Sequence, residues 1–353
     1  MRILVTGGLG FIGSHVTQAA IEAGHEVTVI DNRSLEEAAS QPDCSDLADI
    51  FARRTVNVVQ TDVRDHSGLA AELTGVDAVV HLAAKVGLGD GVRDAADYVS
   101  HNDLGTATLV AAMAETSIDR LVLASSMVVY GEGVAPCAQH GLVPPAARSR
   151  EQLAGGDFEA RCPTCGDTLG HHLVGEESPL EPANVYAASK VAQEHLGNIW
   201  ARTTGGAAVA LRFHNVYGRR LPRDTPYAGV AALFVSMLAN GDAPRVYEDG
   251  GQRRDFVHVR DVARAVIAAA VAPVPGSAMP AYNIGSGHPR TVLELAAALS
   301  TATGGAPPVV TGEFRLGDVR HITASNQRAV SELNWAPEEH FATGMAEISH
   351  KGA

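Results

Sequence analysis

The stretch that decides the fold is Met1–Val16, MRILVTGGLGFIGSHV. A strand-like run, ILVTG, is followed by a helix-like one, and Gly7, Gly10 and Gly13 stand between or just inside them. A side chain at these positions would obstruct another group that approaches the backbone. The next strand-like run, EVTVID, ends at Asp31. Strand, glycine-rich turn, helix and acidic residue in this order predict a βαβ unit that binds a dinucleotide, with the pyrophosphate at the helix N-terminus.

The acidic residue at the end of the second strand indicates which dinucleotide is bound. The Asp31 carboxylate would accept hydrogen bonds from the adenosine ribose and would repel a 2′-phosphate. Arg33 is the residue that could reverse this preference, because a guanidinium nearby can accommodate that phosphate. The sequence therefore predicts NAD as the cofactor and leaves NADP open through Arg33.

Composition limits the possible partners and location. The chain has 353 residues, 46% of them hydrophobic and 19% charged, which suits one large domain or two lobes. The formal net charge of −13 disfavours nucleic acid and anionic lipid, so any anion site must use particular arginines. No apolar stretch approaches the roughly 20 residues that span a bilayer, and the chain opens on a strand instead of a signal peptide. We expect a cytoplasmic protein with no nucleic-acid or membrane partner.

Strands and helices continue to alternate after the first βαβ unit. NVVQTDV, DAVVHLAA, RLVLASS and AAVALRFHNVYG predict further strands, with helices near TATLVAAMAETS and from about residue 185 to 203. Such near-continuous apolar runs predict an α/β fold, a Rossmann-type doubly wound parallel sheet covered on both faces. The pattern becomes less regular after about residue 216. We therefore expect an NAD-binding domain at 1–215 and a smaller, partly interleaved α/β substrate lobe at 216–353.

The motif YAASK places Tyr186 and Lys190 four residues apart, on one face of a predicted helix. Alone, this spacing is typical of solvated surface pairs. A phenol can act as a base near neutrality only if a nearby cation and the nicotinamide charge lower its pKa by roughly 3 units, and Lys190 is placed to contribute. Ser126, at the end of RLVLASS, could hydrogen-bond the same substrate oxygen, whereas Ser125 is interpreted as capping a turn.

These motifs together resemble those of the extended short-chain dehydrogenase/reductase family, over nearly the whole chain and in the family's order. They are TGGLGFIG, TDV, HLAA, SSMVVYG, YAASK, RFHNVYG, RRDFVHVRDVARA and RLGDVRH. Within that family the chain looks most similar to the nucleotide-sugar 4-epimerases that act on UDP-galactose and on dTDP-hexoses. The resemblance implies a homodimer with tightly held NAD and a catalytic set of Ser126, Tyr186 and Lys190.

The resemblance also implies which residues bind the ligands. NAD is expected at Gly7, Gly10, Phe11, Ile12, Gly13, Asp31, Asn32, Asp62, Val63, Leu82, Ala83, Ala84, Lys85, Asn102, Tyr186 and Lys190. The nucleotide-diphosphate sugar is expected at Ser126, Asn215, Tyr227, Val230, Arg254, Arg315 and Asp318. Guanidinium groups suit a diphosphate, so Arg254 and Arg315 would make a local cation site in an acidic chain, with surface salt bridges as the alternative for each.

The two residues after Ser126 separate the reactions known in the family. The similar 4,6-dehydratases have an Asp–Glu pair there, and the similar decarboxylases have a glutamate at the second position. This chain has Met127 and Val128, which cannot move a proton. The resemblance then implies oxidation at C4 by the tyrosinate with hydride transfer to NAD, turning of the 4-keto sugar, and return of the hydride to its other face. An NAD-dependent sugar-nucleotide dehydrogenase or reductase and a non-catalytic NAD-binding regulatory protein remain alternatives, and the sugar and its nucleotide, UDP or dTDP, stay open.

One segment departs from the family pattern. Ser126 and Tyr186 are sixty residues apart, more than the resemblance leads one to expect, which predicts an insertion at about 132–175. Four of its residues have the ligand types and spacing of a closed tetrahedral zinc site, in two turns that each end at glycine: Cys137, His140, Cys162 and Cys165. An insertion this short cannot bury enough apolar surface to order itself, so we predict a structural zinc that staples it and takes no part in catalysis. Free thiols, or His171 or His172 in place of His140, are the alternatives.

Overall fold

The computed structural model describes residues 1–41, 43–52, 56–87, 91–222 and 229–349. A parallel sheet lies at its centre, with seven strands: β1 Arg2–Thr6, β2 Glu26–Asp31, β3 Val56–Gln60, β4 Ala78–His81, β5 Arg120–Ser126, β6 Ala207–Phe213 and β7 Ala281–Ile284. Their spatial order is β3-β2-β1-β4-β5-β6-β7, so successive strands are added toward one edge of the sheet up to β3 and toward the other edge from β4 onward. This is the Rossmann order extended by one strand, so the predicted fold class is confirmed.

The helices surround this sheet and fill the C-terminal half. They are α1 Phe11–Glu22, α2 Leu35–Ala39, α3 Leu47–Ala52, α4 His66–Glu72, α5 Ala95–Tyr98, α6 Gly105–Ala114, α7 Arg150–Ala154, α8 Val185–Thr204, α9 Val230–Ala239, α10 Val259–Val271, α11 Val292–Thr303, α12 Gln327–Glu332 and α13 Phe341–Ser349. A π-helical segment, Val99–Leu104, joins α5 to α6, and 3₁₀ turns lie at Gly91–Asp94 and Met127–Tyr130. Within the described ranges, no helix combines the length and the apolar character needed to cross a membrane.

The strand sequences explain why both faces of the sheet are covered. Successive residues of a strand point to opposite faces, and in β1 both Leu4 and Val5 are completely buried. Val5 packs in a core with residues of α1 and α10, whereas Leu4 packs in a second core with residues of α4, α6 and α8. The near-continuous apolar strand runs are thus the consequence of two helical layers.

The two halves of the chain are interleaved in the sheet. The last strand, β7, and the helix α10, which packs against α1, both come from the C-terminal half. A third core, which includes Tyr217, Phe234 and Phe256, belongs to the C-terminal lobe together with α9, α11 and α13. Interleaving of the two lobes was expected from the sequence; the boundary between 1–215 and 216–353 stays a prediction.

Short strands bring the site residues of the C-terminal half together. Asn215–Tyr217 pairs in parallel with Phe256–His258, and Arg253–Arg254 lies between Arg290–Thr291 and His321–Ile322. A further parallel pair joins Arg245–Val246 to Val309–Val310. These pairings place the stretches around 215, 254 and 320 side by side.

The insertion at 132–175 has a small fold of its own. It contains an antiparallel hairpin of Ala135–Cys137 and Gly141–Val143, followed by α7. Its core is small and includes two cysteines: Ala135, Cys137, Ala160, Cys162 and Leu169. The insertion returns to the rest of the molecule at Val174, whose N–H donates to the Thr323 carbonyl over 2.8 Å.

Candidate active site

A cavity of about 300 Å³ opens at the carboxyl ends of β1, β2 and β4, and we call it the strand-end cavity. Its wall contains ten of the residues expected to bind the cofactor: Gly7, Gly10, Asp31, Asn32, Asp62, Val63, Leu82, Ala83, Ala84 and Lys85. The remaining wall residues are Ile30, Arg33, Thr61 and His101. The structure therefore gathers most of the sequence-predicted cofactor residues around one concave surface.

The glycines of the first turn are required by close packing. Gly7 has a φ of 69°, and a Cβ there would lie 2.8 Å from the Ala83 nitrogen. A Cβ on Gly13 would lie only 2.0 Å from the Gly7 carbonyl oxygen. Phe11, Ile12 and Gly13 form the first turn of α1, which no side chain of the described residues caps. The turn thus presents unpaired backbone N–H groups, the arrangement that binds phosphate.

The Asp31 carboxylate is held in one orientation at the edge of the cavity. It is 6% exposed and accepts hydrogen bonds from the Leu9 N–H at 3.1 Å and the Arg33 N–H at 3.1 Å. The Arg33 side chain also donates to it, from Nε at 3.3 Å. The guanidinium that could accept a 2′-phosphate is therefore engaged with the acid that would repel one.

Two other expected cofactor residues have roles that the sequence did not indicate. Arg64 forms a two-pronged ion pair with Asp62, and its hydrogen bonds lower the pKa of that carboxyl. Asn102 is fully buried and outside the cavity wall; its amide bonds both the N–H and the carbonyl of Lys85, at 2.7 and 3.0 Å. Asn102 also donates to the Ser189 hydroxyl over 2.9 Å, so it ties the cavity loop to α8.

Ser126, Tyr186 and Lys190 meet where β5 ends beside the start of α8. Asn184 caps the N-terminus of α8 through the Ala187 N–H, which fixes where this helix begins. The Lys190 ammonium is buried, donates to the Ala124 carbonyl at 2.9 Å and lies 6.0 Å from the centre of the Tyr186 ring. The structure thus brings the three expected catalytic side chains together.

The turn after β5 is capped by Ser126 and not by Ser125. Ser126 caps the 3₁₀ turn, because its hydroxyl accepts from the Val128 N–H at 3.4 Å. Ser125 instead donates to the buried Glu194 carboxylate at 2.5 Å. The interpretation of Ser125 as the turn cap is therefore wrong, because its side chain points toward α8 and donates to Glu194 there.

Burial dominates the titration of the catalytic pair. It raises the pKa of the Tyr186 phenol to about 12, although a hydrogen bond with Ser126 acts in the other direction. Burial also lowers the pKa of Lys190 to about 8, opposed by the negative charge of Glu194. Taking the protein groups alone, the pKa of the phenol thus moves opposite to the lowering that a base requires, because desolvation outweighs the polar contacts.

Arg254 is half-buried, and its guanidinium is held by backbone carbonyls. Nη1 donates to the carbonyls of Arg253 and Arg320, at 2.8 and 3.0 Å, and Nη2 donates to the Val319 carbonyl at 2.6 Å. These bonds use three of the five donors that a guanidinium has. Nε–H and one Nη2–H have no partner in the part of the chain that the structure describes, and burial lowers the pKa of this group. The alternative of a surface salt bridge does not apply to Arg254.

The other residues expected to bind substrate occupy varied environments. Arg315 is exposed and lies 5.2 Å over the Tyr247 ring, and Asp318 is half-buried. The buried Asn215 Oδ1 has no hydrogen-bond partner among the described residues. Val230 is the first residue of α9. Tyr227 lies outside the described residues.

Sequence reasoning missed a group of charged side chains beside Arg254, three of them buried. We call it the ion cluster, and its members are Arg148, Glu159, Glu248, Asp249 and Arg320. Arg320 is 1% exposed and is paired with three carboxylates. Although RLGDVRH includes Arg320, its partners lie 71 to 161 residues away in the chain, so no local pattern could have found them.

The four expected metal ligands lie close together in the insertion. The reactive atoms of Cys137, His140, Cys162 and Cys165, which we call the Cys/His cluster, all lie within 4.8 Å of one another. The Cys137 Sγ is 3.6 Å from the Cys165 Sγ and 3.5 Å from the His140 Nδ1. His171 instead contacts the Thr323 hydroxyl at 2.7 Å. The structure therefore favours His140 over His171 as the fourth member.

Comparison with known proteins relates this arrangement to characterised ones. A model described as the NAD dependent epimerase/dehydratase family matches residues 3–149 and 165–285. The unmatched residues between these ranges lie within the insertion. The chain is 31% identical to a dTDP-L-rhamnose 4-epimerase of Burkholderia thailandensis, over 98% of this chain and 93% of that one.

A dehydratase and a solved epimerase are also similar. A dTDP-glucose 4,6-dehydratase of Streptomyces niveus is 30% identical, over 98% of this chain and 91% of that one. The crystal structure of a Thermus thermophilus UDP-glucose 4-epimerase in complex with NAD superposes with a TM-score of 0.75 at 28% identity, covering 99% of this chain and 98% of that one. Identity alone does not separate epimerase from dehydratase, so the site residues must.

Proposed function

This chain belongs to the NAD dependent epimerase/dehydratase family, and on that premise we propose that it is a 4-epimerase of a UDP- or dTDP-linked hexose. The observation that carries the proposal is that Ser126, Tyr186 and Lys190 lie together. The turn that follows Ser126 begins with Met127 and Val128, whose side chains cannot move a proton. Elimination of water would need an acid and a base there. Epimerisation needs one proton-transfer group and a hydride carrier.

The strand-end cavity fits NAD. Its uncapped helix N-terminus suits the pyrophosphate, and the Asp31 carboxylate suits the ribose hydroxyls. NAD bound there would supply the acceptor and donor of the hydride at the sugar's C4. The protein's part is to hold Lys85 and its neighbours in place, which Asn102 does through both backbone groups of Lys85.

Tyr186 is the proposed proton acceptor and donor. It would remove the proton of the sugar's 4-hydroxyl as the C4 hydrogen leaves, and would return the proton when the hydrogen is delivered to the other face of the ketone. Ser126 would hydrogen-bond the same oxygen. Because burial raises the pKa of Tyr186 to about 12, an ionised phenol requires positive charge from the bound ligands in addition to Lys190.

Arg254 is the proposed anchor of the nucleotide diphosphate. Its Nε–H and remaining Nη2–H are the two donors left for a ligand, and a guanidinium with two available donors can bind a phosphate in a two-pronged way. The unpartnered Asn215 Oδ1 and the exposed Arg315 are further candidates for contacts with the same ligand. A half-buried cation with no carboxylate partner within the described ranges favours an anionic ligand.

The Cys/His cluster is proposed to hold a structural zinc. In a tetrahedral site with zinc–sulfur bonds of about 2.3 Å, sulfur atoms are about 3.8 Å apart, and the observed Sγ–Sγ distance of 3.6 Å is close to this value. Gly141 and Gly166 follow the two ligand pairs with φ of 70° and 76°, as tight turns require. With four protein ligands, no position is left for a substrate.

The homodimer is proposed from an apolar surface of neighbouring helices. Large side chains are exposed on the segments that precede α6, at Val92, Val99 and Leu104, and on α8, at Ile199. Burying such a surface against a second copy would remove it from water. Light scattering after size exclusion tests this point. A cytoplasmic location stays a prediction from composition.

Products formed without added coenzyme test the function. The purified protein is incubated with a panel of UDP- and dTDP-hexoses, and the products are followed by NMR. We expect interconversion of C4 epimers and acid-released NAD in near-equal amount to the protein. A 4-keto-6-deoxy product would contradict the epimerase proposal, oxidised product only on addition of NAD would support the dehydrogenase, and no conversion at all would support a regulatory protein.

A further inference from the structure

The insertion and the C-terminal lobe meet at the segment Asp318–His321, which we call the strap. Its first three carbonyls each accept a hydrogen bond from a guanidinium. Arg148, from the insertion, donates to the Asp318 carbonyl at 2.6 Å. Arg254 donates to the next two, those of Val319 and Arg320. The orientation of Arg254 therefore depends on where the strap lies.

The insertion holds the other end of the strap as well. The Glu159 carboxylate accepts from Arg320, at 2.5 Å from Nη2 and 3.1 Å from Nε, through one oxygen. Its second oxygen lies 3.0 Å from the His321 Nε2. Glu159 thus holds the side chains of two successive strap residues, and it lies three residues before Cys162 of the Cys/His cluster.

The ion cluster links these two attachments. The Glu248 carboxylate is 2% exposed and lies between the arginines, with one oxygen 2.8 Å from Arg148 and the other 2.8 Å from Arg320. Glu248 has a φ of 53°, a left-handed conformation that is unfavourable for a residue with a side chain. Such strain is kept only where the surroundings impose it. The cluster therefore holds the strap in one position.

We propose that the insertion sets the affinity for the nucleotide diphosphate by fixing the strap, whose carbonyls orient Arg254. Glu159 and Arg320 are then positioning residues that act through Arg254 without touching the ligand. The inference rests on the proposed function in one respect, that Arg254 binds the diphosphate. It assigns the departure from the family pattern a role in substrate recognition that does not require the metal to take part in chemistry.

Binding of UDP and of dTDP to the NAD-loaded protein tests this inference. Calorimetry should give a Kd that rises by roughly 5- to 20-fold in Glu159→Gln, because one partner of a partly buried charge pair is lost. The KM for the nucleotide sugar should rise in parallel while kcat stays within about 2-fold, since the catalytic groups are untouched. Glu313→Gln is the matched control, because Glu313 forms a half-exposed pair with Arg245 in the same lobe, and it should change neither value.

A double-mutant cycle separates positioning from a general structural effect. If Glu159 acts through Arg254, Glu159→Gln should change the Kd by less than about 2-fold in an Arg254→Lys background. An equal effect in both backgrounds, or no effect of Glu159→Gln in the wild-type background, would overturn the proposal. If Glu159→Gln loses its NAD, Arg320→Lys provides a second test, in which the Kd for UDP and dTDP should also rise.

The outcomes also distinguish this inference from the proposed function. A protein that binds UDP or dTDP in a Glu159-dependent way but converts no sugar contradicts the epimerase alone. An active epimerase whose KM is unchanged by Glu159→Gln contradicts only the proposal that the strap sets the affinity. A protein that binds neither nucleotide contradicts both.

Discussion

The strand-end cavity and the ion cluster both lie beside proposed anion sites, but they are built from different groups. Part of the cavity wall is formed by the glycine turn and the loop 82–85, whose backbones approach each other closely. The ion cluster consists of side-chain charges whose ion pairs join positions 71 to 161 residues apart, such as Arg148 with Glu248. A backbone wall has little freedom to adjust, whereas a charge network can lose one member and retain the rest. Changes in the first region should therefore abolish function, and changes in the second should tune it.

The largest effect should come from a change at the Tyr186 phenol. Tyr186→Phe removes the ionisable oxygen alone, so kcat should fall by roughly 10³-fold or more, with NAD and UDP still bound. NMR measurement of the rate of product formation, together with the NAD content of the same sample, checks this prediction. Tyr98→Phe is the control, since the Tyr98 ring lies 6.1 Å from that of Tyr186. Near-normal turnover of Tyr186→Phe would contradict its role as the proton acceptor and donor.

The next largest effect should come from the glycine turn. Gly7→Ala places a Cβ 2.8 Å from the Ala83 nitrogen and strains a φ of 69°, so the purified variant should lack NAD. Gly24→Ala is the matched control, because its φ is 82° but nothing lies within 4 Å of the added Cβ. The control should retain NAD and lose only the roughly 1 kcal/mol of left-handed strain. If both variants keep NAD, the backbone wall tolerates change and the contrast between the regions fails.

Local motifs explain why so much of the cavity could be predicted. Gly7, Gly13 and Asp31 lie within one βαβ unit, where spacing along the chain fixes spacing in the structure. The same holds for Tyr186 and Lys190, which lie one helical turn apart. The fold class follows from the same regularity, since apolar strand runs alternate with helices from β1 to β6. These features were predictable because each depends on residues close together in sequence.

Contacts between distant residues were not predictable in this way. Arg320 lies in a recognised motif, yet its three carboxylate partners come from the insertion and from the turn at 248–249. Asn102 was expected to touch the cofactor, but the groups that it bonds, on Lys85 and Ser189, lie on a loop and a helix that meet only in the folded chain. The direction in which the pKa of Tyr186 shifts depends on burial, which the spacing of residues in the sequence does not reveal.

A metal in the insertion would act on stability more than on the cavity. Cys162→Ser should remove about one zinc per chain by elemental analysis and lower the Tm by roughly 5 °C, while NAD stays bound. Cys44→Ser is the control, because Cys44 packs on the core beside α1 and lies outside the cluster. Wild-type protein that contains no stoichiometric metal would contradict the proposal of a structural zinc. Loss of catalysis with unchanged stability and unchanged proteolysis at 132–175 would instead indicate a direct role for the ion.

The smallest effect should be on the pH dependence of the free energy of unfolding, to which Glu159 of the ion cluster contributes. The hydrogen bond with His321, together with Arg320, lowers the pKa of Glu159 to about 2. A carboxyl with a lowered folded-state pKa stabilises the protein above its ordinary pKa, and this contribution is lost as pH falls toward the folded value. Because the side chain is 38% exposed, solvent screening limits the contribution to about 1 kcal/mol.

Urea unfolding of wild type and Glu159→Gln at several pH values tests this sign. The free energies of unfolding should differ by about 1 kcal/mol at pH 5 and above, and the difference should narrow between pH 4.5 and 3, since protonation removes in the wild type the charge that the variant never had. Glu313→Gln should show a smaller gap with the same m-value. A gap that widens in acid would mean that Glu159 is protonated at neutral pH, and the ion cluster would then hold the strap by its other members alone.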